Sequence, residues 1–439
     1  MAKPAAPATA IDLDIEALGE GGDGIATLDG KRLHVPWTLP GDRVRVVPGR
    51  TARAVPLDWL RRSPDHATPP CPHFRSCGGC ALQHLDPAAY RSWKLDRARR
   101  AAQRAGFPDA AIDPLVVSPP GSRRRATLAA VRSAAGPRLG FHAPASNDIV
   151  DIGGCSVLDP DLAAFIAPLR HALGTALAPS QRLDIALTAT TTGLDIVAIG
   201  ALSAAALAPL AALPGVARLT RSAAADRDPD LVALHRAPRI LFDGIPAEPP
   251  AGAFLQATIA GEAAIRVAVD AALGPARRVA DLFAGCGTLS LPLARTRQVL
   301  AIDSSRPALE ALDRAARAAG LGSRVTIAAR DLDRRPLIDD ELDDIDAVVF
   351  DPPREGALAQ AEALARSRVA RVVAVSCNPL TFARDAAALA AGGYRLERLT
   401  PIDQFLWSPH LELVGAFVRP RGVQPRGARP QGGRTRDRR

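Results

Sequence analysis

Residues 278–303 read RVADLFAGCGTLSLPLARTRQVLAID. The first six residues are mostly apolar and predict a buried strand, and the turn that follows carries Gly285 and Gly287. Glycine lets a backbone approach a ligand closely at the carboxyl end of a parallel strand, where nucleotide sites lie in open α/β sheets. A helix at Leu289–Ala294 and a second strand at Val299–Asp303 complete the pattern. We therefore predict one unit of a doubly wound, mostly parallel sheet.

The same stretch predicts a site for a nucleoside cofactor. Asp303 ends the second strand, and a carboxylate at that place suits the ribose hydroxyls of a nucleoside. A dinucleotide fingerprint, G-x-G-x-x-G, needs a third glycine, but Ser290 occupies that position. The pattern therefore disfavours NAD. We interpret Cys286, inside the turn, as a small buried filler rather than a reactive thiol.

Two shorter motifs follow on the same edge of the predicted sheet. Phe350–Arg354 reads FDPPR and predicts a stiff loop, because each proline fixes its own φ and restricts the residue before it. Ser376–Pro379 reads SCNP and places Cys377 at the carboxyl end of the apolar strand Arg371–Val375. A lone cysteine is more often a buried structural thiol. Its position beside the predicted cofactor site makes Cys377 a candidate nucleophile.

In this order, the three motifs resemble those of the S-adenosylmethionine-dependent RNA (uracil-5-)-methyltransferases, and the resemblance covers roughly residues 11–418. It implies S-adenosylmethionine as the cofactor, Cys377 as the nucleophile and Glu412 as the base. A thiolate adds to carbon-6 of uracil, carbon-5 then takes the methyl group, and the base removes the carbon-5 proton. A base stacked in RNA cannot expose both of these carbons, so base flipping is expected. The cofactor contacts that the resemblance implies are Gln256, Phe283, Thr288, Asp303, Asp331 and Asp351.

A second set of cysteines lies far from these motifs in the sequence. Cys71, Cys77 and Cys80 have the spacing C-x5-C-x2-C, and Cys155 follows later. Clustered thiols in a cytosolic chain indicate a metal rather than disulfides. Zinc sites more usually show two C-x2-C pairs, whereas four thiolates also suit an iron–sulfur cluster, and free thiols stay a third possibility. The resemblance implies a 4Fe-4S cluster on these four cysteines, with a structural role.

The order of the predicted strands and helices along the sequence predicts an α/β protein of three domains with a basic tail. Residues 1–60 alternate apolar and polar positions between glycine turns and predict a small OB-like β-barrel, which resembles the RNA-binding TRAM domain. Residues 61–250 predict a central α+β domain that carries the cluster, although its helix at about 87–110 could pack on the catalytic domain. Residues 251–420 predict a Rossmann-like methyltransferase domain, and 421–439 a disordered tail.

The net positive charge of the chain is only weak evidence for a nucleic-acid partner. The net charge is +9, but the tail 421–439 carries seven arginines and one aspartate, hence +6 of that total. Ser122–Leu128 contains three consecutive arginines and resembles a family strand that contacts RNA, but it could equally be a solvated face. We find no apolar run of about 18 residues and no signal-peptide core, so we expect a cytoplasmic monomer without a membrane span.

The resemblance favours 23S ribosomal RNA as the substrate, since the transfer-RNA branch of the family typically lacks both the barrel and the cluster. Three alternatives stay open. The chain could be a tRNA uracil-5-methyltransferase or an RNA cytosine-5-methyltransferase, although cytosine chemistry favours a different cysteine setting. It could also be a noncatalytic RNA-binding assembly factor that has kept the fold.

Overall fold

In the computed structural model, which describes residues 10–49, 52–224 and 227–420, the N-terminal strands form two three-stranded antiparallel sheets. The basic tail expected at 421–439 lies outside the described residues. One sheet has the order β1-β5-β6 and the other β2-β3-β4, and their alternate residues share one apolar core. The strands are β1 (Ile11–Asp14), β2 (Ala17–Leu18), β3 (Gly24–Leu28), β4 (Lys31–Val35), β5 (Arg43–Pro48) and β6 (Ala54–Arg61).

A long helix follows the loop that carries three of the cysteines. Helix α1 (Pro87–Arg104) begins at Asp86, whose carboxylate accepts hydrogen bonds from the backbone N–H groups of Ala88 and Ala89. A proline in the first turn suits this start, because its missing N–H would have no partner in the helix. Two short strands come next, β7 (Ala111–Ile112) and β8 (Val116–Val117).

The central sheet has seven strands in the order β11-β10-β9-β12-β13-β14-β15, and only the β13–β14 pair is parallel. Two helices pack against it and close an apolar core of its own. Its elements are β9 (Arg125–Ser133), β10 (Gly136–His142), β11 (Ile149–Asp151), α2 (Pro160–Ala176), β12 (Arg182–Thr190), β13 (Gly193–Ile199), α3 (Ala208–Ala211), β14 (Val216–Ser222) and β15 (Asp230–Leu234).

The C-terminal part builds the largest sheet, preceded by a hairpin of β16 (Ile240–Phe242) and β17 (Ile245–Ala247). Its remaining elements alternate strand and helix. They are α4 (Ile259–Leu273), β18 (Arg278–Leu282), α5 (Ser290–Leu293), β19 (Gln298–Asp303), α6 (Arg306–Ala318), a 3-10 turn at Gly322–Arg324, β20 (Val325–Ala329), α7 (Asp339–Leu342), β21 (Ala347–Phe350), α8 (Leu358–Arg366), β22 (Arg371–Ser376), α9 (Pro379–Ala391), β23 (Arg395–Asp403) and β24 (Glu412–Val418).

The strand order is β20-β19-β18-β21-β22-β24-β23-β7, with β8 also paired to β23. The first five strands are parallel, and β24 runs antiparallel to both of its neighbours. Helices α4, α5 and α6 cover one face of the sheet, while α1, α8 and α9 cover the other. The predicted α/β class is therefore confirmed, as a mixed sheet in which parallel pairs predominate. Ligand sites in such sheets lie at the carboxyl ends of the parallel strands.

Two details differ from the sequence prediction. The first strand of the motif ends at Leu282, because Phe283 has a left-handed φ of 62° and leaves the strand. The helix after the glycine turn is a single turn, Ser290–Leu293, shorter than the predicted Leu289–Ala294. Both differences tighten the turn at the end of the strand.

Helix α1 packs against this nine-stranded sheet, hereafter the catalytic sheet, although the parallel strands of the sheet begin only at Arg278. Lys94 is fully buried and donates to Asp403 (Nζ–Oδ1 2.9 Å) and to the backbone oxygen of His410. The hydroxyl of Tyr90 donates to the other oxygen of Asp403. These contacts fix the segment between β23 and β24.

Within the part of the chain that the structure describes, no helix combines the length and the apolar character needed to cross a membrane.

Candidate active site

A cleft of about 1190 Å³ opens at the carboxyl ends of the parallel strands. Its walls come from the catalytic sheet and, on the opposite side, from Arg218, Thr220 and their neighbours in the central sheet. All eight residues that the sequence suggested for catalysis or cofactor binding line this one cleft. They are Gln256, Phe283, Thr288, Asp303, Asp331, Asp351, Cys377 and Glu412. The structure brings them together, while the role of each stays a prediction.

The glycine turn shapes the floor of the cleft. Gly285 and Gly287 have φ values of 53° and 99°, the left-handed region that favours glycine. A Cβ on Gly287 would lie 2.5 Å from Cδ1 of Leu312, so this position has no room for a side chain. A Cβ on Gly285 would meet nothing within 4 Å among the described residues, since it points toward the cleft. The backbone at Gly285 is thus open to a ligand.

Asp303 lies beside this turn with both carboxylate oxygens held. The N–H of Gly285 donates to Oδ2 at 2.9 Å, and the N–H of Ser305 donates to Oδ1 at 2.7 Å. Each carboxylate oxygen can accept more than one hydrogen bond, so ribose hydroxyls could still bind here. Asp303 therefore ties the glycine turn to the next strand and offers acceptors to the cleft.

Two further carboxylates are buried under the cleft. Burial raises the pKa of Asp281 to about 7, and the negative charges of Asp351 and Asp303 act in the same direction. Its Oδ2 accepts from the hydroxyl of Ser290 at 2.5 Å. Burial also raises the pKa of Asp351 to about 7, against the effect of the Gln256 amide, which donates to its Oδ2 at 2.7 Å. An excess of negative charge at this place suits a cationic cofactor such as a sulfonium.

Cys377 follows the last residue of β22 and is partly accessible from the cleft. Burial raises the pKa of its thiol to about 12. The charges of Glu412 and Asp351 contribute to this rise, whereas the Arg354 guanidinium opposes it. In the ligand-free molecule the thiol is therefore protonated near neutral pH. A nucleophilic role requires a bound cation or substrate to favour the thiolate.

Glu412 is the first residue of β24 and is only 2% exposed. Its Oε2 accepts from Nε2 of Gln404 at 2.7 Å. Its Oε1 is buried and has no hydrogen-bond partner among the residues described here. Burial, followed by the charge of Asp351, raises the pKa of Glu412 to about 8. A carboxylate with one free oxygen and a pKa near neutrality has the properties of a general base.

Sequence reasoning missed several residues of this site. Gln404 is one, since no motif marks it, and Arg354 is another, although it ends the FDPPR string. Phe254, 65% exposed at the cleft, has the guanidinium of Arg125 stacked 4.2 Å from its ring centre. The arginine run at Ser122–Leu128 marked Arg125 in the sequence, but no motif pointed to Phe254 as its partner.

The three arginines of Ser122–Leu128 have different environments. Arg124 is buried, and its guanidinium bonds to the Glu262 carboxylate and to the backbone oxygen of Gln256. It therefore links the central sheet to helix α4 and is not a solvated residue. Arg125 lies within the electrostatic range of Cys377 and reaches the active-site cleft through Phe254.

The four cysteines of the second set lie within electrostatic range of one another. Burial raises the pKa of Cys80 to about 12, and the charges of Cys155, Cys77 and Cys71 act in the same direction, so all four thiols are electrostatic neighbours. Arg123 lies close enough to interact with Cys155 and Cys80. Across the described ranges, however, no three His, Cys, Asp or Glu side chains are arranged closely enough to hold a metal ion.

The sheet order and the position of the cleft define the class of fold, which is that of S-adenosylmethionine-dependent methyltransferases. The Pyrococcus abyssi tRNA (uracil-54, C5)-methyltransferase, solved with S-adenosyl-L-homocysteine, shares the fold with a TM-score of 0.69 at 23% identity, over 93% of this chain and 100% of that chain. Residues 250–420 match the model of the tRNA (uracil-5-)-methyltransferase family.

Two relatives align along nearly the whole chain. An uncharacterized RNA methyltransferase of Brucella suis biovar 1 is 43% identical over 415 residues, covering 93% of this chain and 98% of the relative. The 23S rRNA (uracil(1939)-C(5))-methyltransferase RlmD of Chromohalobacter salexigens is 37% identical over 448 residues, covering 94% of this chain and 91% of the relative. The chain belongs to the family of S-adenosylmethionine-dependent RNA (uracil-5-)-methyltransferases. The predicted family and enzyme class are confirmed.

Proposed function

We propose that this enzyme methylates carbon-5 of a uridine in 23S ribosomal RNA through a covalent bond between Cys377 and the uracil ring. The observation that carries the proposal is the convergence of Cys377, Glu412 and Asp351 on one cleft above the glycine turn. The relative from Chromohalobacter salexigens, named for activity on 23S rRNA, supports the choice of RNA.

Each chemical step has a residue suited to it. Sγ of Cys377 bonds to carbon-6 of the flipped uracil, and the electron pair of the 5,6 double bond makes carbon-5 nucleophilic. S-adenosylmethionine, when bound, would supply the methyl group from its sulfonium, whose sulfur keeps the electron pair of the broken bond as a neutral thioether. Glu412 then removes the proton from carbon-5, the double bond re-forms, and the Cys377–carbon-6 bond breaks to release the thiolate.

The local charges suggest that Cys377 is activated only when the site is filled. Two carboxylates, Glu412 and Asp351, hold its pKa high in the free protein. A cation bound against Asp351 and Asp303 offsets their charge and favours the thiolate. The residues of the cleft therefore fit a sulfonium cofactor. The cofactor contacts in this proposal are Gln256, Phe283, Thr288, Asp303, Asp331 and Asp351.

For the second cysteine set we propose a 4Fe-4S cluster held by Cys71, Cys77, Cys80 and Cys155. Four neighbouring thiols supply the donor set that such a cluster needs, and the Arg123 guanidinium beside them suits its negative charge. Four cysteine ligands leave no iron open for chemistry, so the cluster stabilises the loop. Protein purified without oxygen should contain about four irons per chain. Stoichiometric zinc without iron would contradict this assignment.

We also propose the domain division 1–60, 61–250 and 251–420, with the first region an OB-like TRAM module that contacts RNA. Its support is a cationic and aromatic surface. The Arg75 guanidinium, from the cysteine loop, lies 4.9 Å from the ring centre of Trp59 and 5.9 Å from that of Trp37. Arg62 lies 5.3 Å from Trp59. Arginine and aromatic side chains together suit the phosphates and bases of single-stranded RNA.

RNA from a strain that lacks the gene tests the substrate. After incubation with purified protein and S-adenosylmethionine, mass-spectrometric mapping should find new 5-methyluridine in 23S rRNA. Methylation of transfer RNA alone would refute the substrate and leave the chemistry intact. New 5-methylcytidine would instead indicate the cytosine alternative, and no methylation of any RNA would indicate a noncatalytic factor.

A further inference from the structure

Two buried glutamines connect the proposed base to the proposed cofactor loop. Nε2 of Gln404 donates to Oε2 of Glu412 at 2.7 Å and to Oε1 of Gln256 at 2.6 Å. Nε2 of Gln256 donates in turn to Oδ2 of Asp351 at 2.7 Å. Gln404, Gln256 and Glu412 are each only 2% exposed, so water does not compete for these bonds.

The direction of this chain of hydrogen bonds is fixed by one backbone group. The N–H of Ala257 can only donate, and it lies 2.8 Å from Oε1 of Gln404. The amide of Gln404 must therefore point its oxygen at Ala257 and its NH₂ at Gln256 and Glu412. Gln256 then accepts through its oxygen and has only its NH₂ left for Asp351. Both amides thus present donors to the carboxylates, in an orientation that the network determines.

This arrangement distinguishes the two oxygens of Glu412. Oε2 is held by Gln404, while Oε1 is buried without a hydrogen-bond partner in the described structure. Cys377, within electrostatic range of Glu412, lies on the same cleft. An unpaired buried oxygen is costly for stability, which indicates that it is kept for a group that arrives with the substrate.

We propose that Gln404 is a positioning residue, which orients Glu412 so that Oε1 receives the carbon-5 proton and keeps the carboxylate ready to accept it. This inference rests on the proposed function, since it assumes Glu412 as the base. It goes beyond that function by assigning the reacting oxygen and by linking the base to Asp351 through two amides.

The charged neighbours of Glu412 decide how a change at Gln404 would act. Burial and the charge of Asp351 raise the pKa of Glu412 to about 8, and the Gln404 bond opposes them. The Cys377 thiol also faces Glu412, and it is influenced in turn by Arg354 and Arg125. Removing the Gln404 donor therefore raises the pKa of Glu412, and the anionic base becomes available only at higher pH.

The substitution Gln404→Glu separates positioning from folding. It is nearly isosteric and keeps an oxygen for the N–H of Ala257, but it replaces the NH₂ group that donates to Glu412 and to Gln256 with a carboxyl oxygen. Two adjacent buried carboxyl groups hold a proton between them, so Glu412 is less able to accept the carbon-5 proton.

The measured quantities are two rates as functions of pH. One is the formation of the covalent adduct with 5-fluorouridine RNA, which needs Cys377 but no carbon-5 proton removal. The other is the release of methylated product from ordinary RNA in a single turnover. Gln404→Glu should slow release at least about 10-fold at pH 7.5 and move its acid limb upward by about one pH unit, a change of one pKa unit. Adduct formation should stay within about threefold of wild type.

A matched control is Gln360→Glu. Gln360 is equally buried, accepts from the N–H of Leu337 at 2.9 Å and donates to the oxygen of Leu337 at 3.1 Å, outside the cleft. Gln360→Glu likewise replaces a buried amide with a carboxyl group. It should release methylated product at the wild-type rate, with an unchanged pH profile. Equal slowing in both variants would mean a general effect of buried carboxyls and would overturn the proposal.

The double variant Gln404→Glu/Glu412→Gln restores a donor–acceptor pair and protects against misfolding of the single variant. If Gln404 acts through Glu412, this double variant should release product at the rate of Glu412→Gln alone. A further slowing beyond about threefold would contradict the proposal, as would a folded Gln404→Glu variant with wild-type release. A wild-type protein that forms no adduct with 5-fluorouridine RNA would instead refute the proposed function itself.

Discussion

At the scale of single residues, the surroundings of Cys377 favour the thiol over the thiolate. Burial acts first, and the carboxylates of Glu412 and Asp351 add to it, so that the pKa reaches about 12. The Arg354 guanidinium acts in the opposite direction and lowers the pKa. A nucleophile that stays protonated in the empty site is protected from oxidation until a substrate and a cationic cofactor arrive.

This environment predicts slow alkylation of Cys377 by iodoacetamide in the ligand-free protein. The rate should rise with pH beyond pH 9, because only the thiolate reacts. At pH 9 Glu412 is ionised, so Glu412→Gln removes a negative charge, lowers the pKa of Cys377 and speeds alkylation. Arg354→Leu removes a positive charge and should slow it. Peptide mass spectrometry follows this cysteine separately from the others. Alkylation at pH 7 as fast as that of a free thiol would contradict the account.

The sequence marks the residues proposed for chemistry more clearly than the residues that hold them in place. Cys377 and Asp351 stand in short motifs whose residue types follow from backbone stiffness and strand ends. Gln404 carries no such signal, because a glutamine before an aromatic residue is unremarkable in sequence. Its importance comes from the N–H of Ala257, 147 residues earlier, which only the folded chain brings to it. The sequence likewise placed Phe283 in the first strand, whereas its left-handed φ puts it in the turn.

At the scale of elements, the two glycines of the turn after β18 have separate roles. Gly287 is packed against Leu312 and has a φ of 99°, whereas Gly285 has a φ of 53° and is open toward the cleft. An alanine methyl group at position 287 would collide with Leu312 in the core. An alanine methyl group at position 285 would project into the cleft, where we propose that the cofactor binds.

We therefore predict different losses for the two alanine variants. Gly287→Ala should lower the free energy of unfolding by about 1–3 kcal/mol through overpacking and backbone strain. Gly285→Ala should change stability by about 1 kcal/mol but weaken S-adenosylmethionine binding at least about 10-fold. Thermal unfolding and calorimetric titration measure the two quantities. Equal effects of the two variants on stability and on cofactor binding would contradict separate roles for Gly285 and Gly287.

Helix α1 is joined to the catalytic sheet by a buried ion pair. Lys94→Met should destabilise the protein by about 3–5 kcal/mol, because Asp403 is left as a buried charge without its cation. Arg99→Met on the same helix is a matched control, since the Arg99–Asp96 pair is exposed and should contribute less than about 1 kcal/mol. Denaturant unfolding measures both. If the two substitutions cost the same, the buried pair does not anchor the helix.

Element prediction succeeded where periodicity was long and failed where strands were short. Helix α1 and the strands β18, β19 and β22 are marked by repeating apolar positions and clear ends. Strands β7 and β8 have two residues each, too few for a period-two pattern, and they form only because β23 offers them a free edge. The reversal of β24 between β22 and β23 is also a property of the whole sheet rather than of its own sequence.

At the scale of the whole molecule, the cleft lies between two sheets that come from different parts of the chain. The central sheet supplies Arg218 and Thr220 to one wall, and the catalytic sheet supplies the proposed nucleophile and base to the other. A uracil must leave the RNA stack to enter such a cleft, at a cost of a few kcal/mol. The Arg125–Phe254 stack lies at this cleft and joins it to the central sheet.

The most direct test of the covalent mechanism compares Cys377→Ala with Glu412→Gln on a fragment of 23S rRNA and methyl-labelled S-adenosylmethionine. Glu412→Gln should transfer the methyl group but release product slowly, so a labelled protein–RNA band should remain on a denaturing gel. Cys377→Ala should give neither band nor methylation, and wild type should give the band with 5-fluorouridine RNA. Methylation by Cys377→Ala at the wild-type rate, with no band from either of the other proteins, would contradict the account.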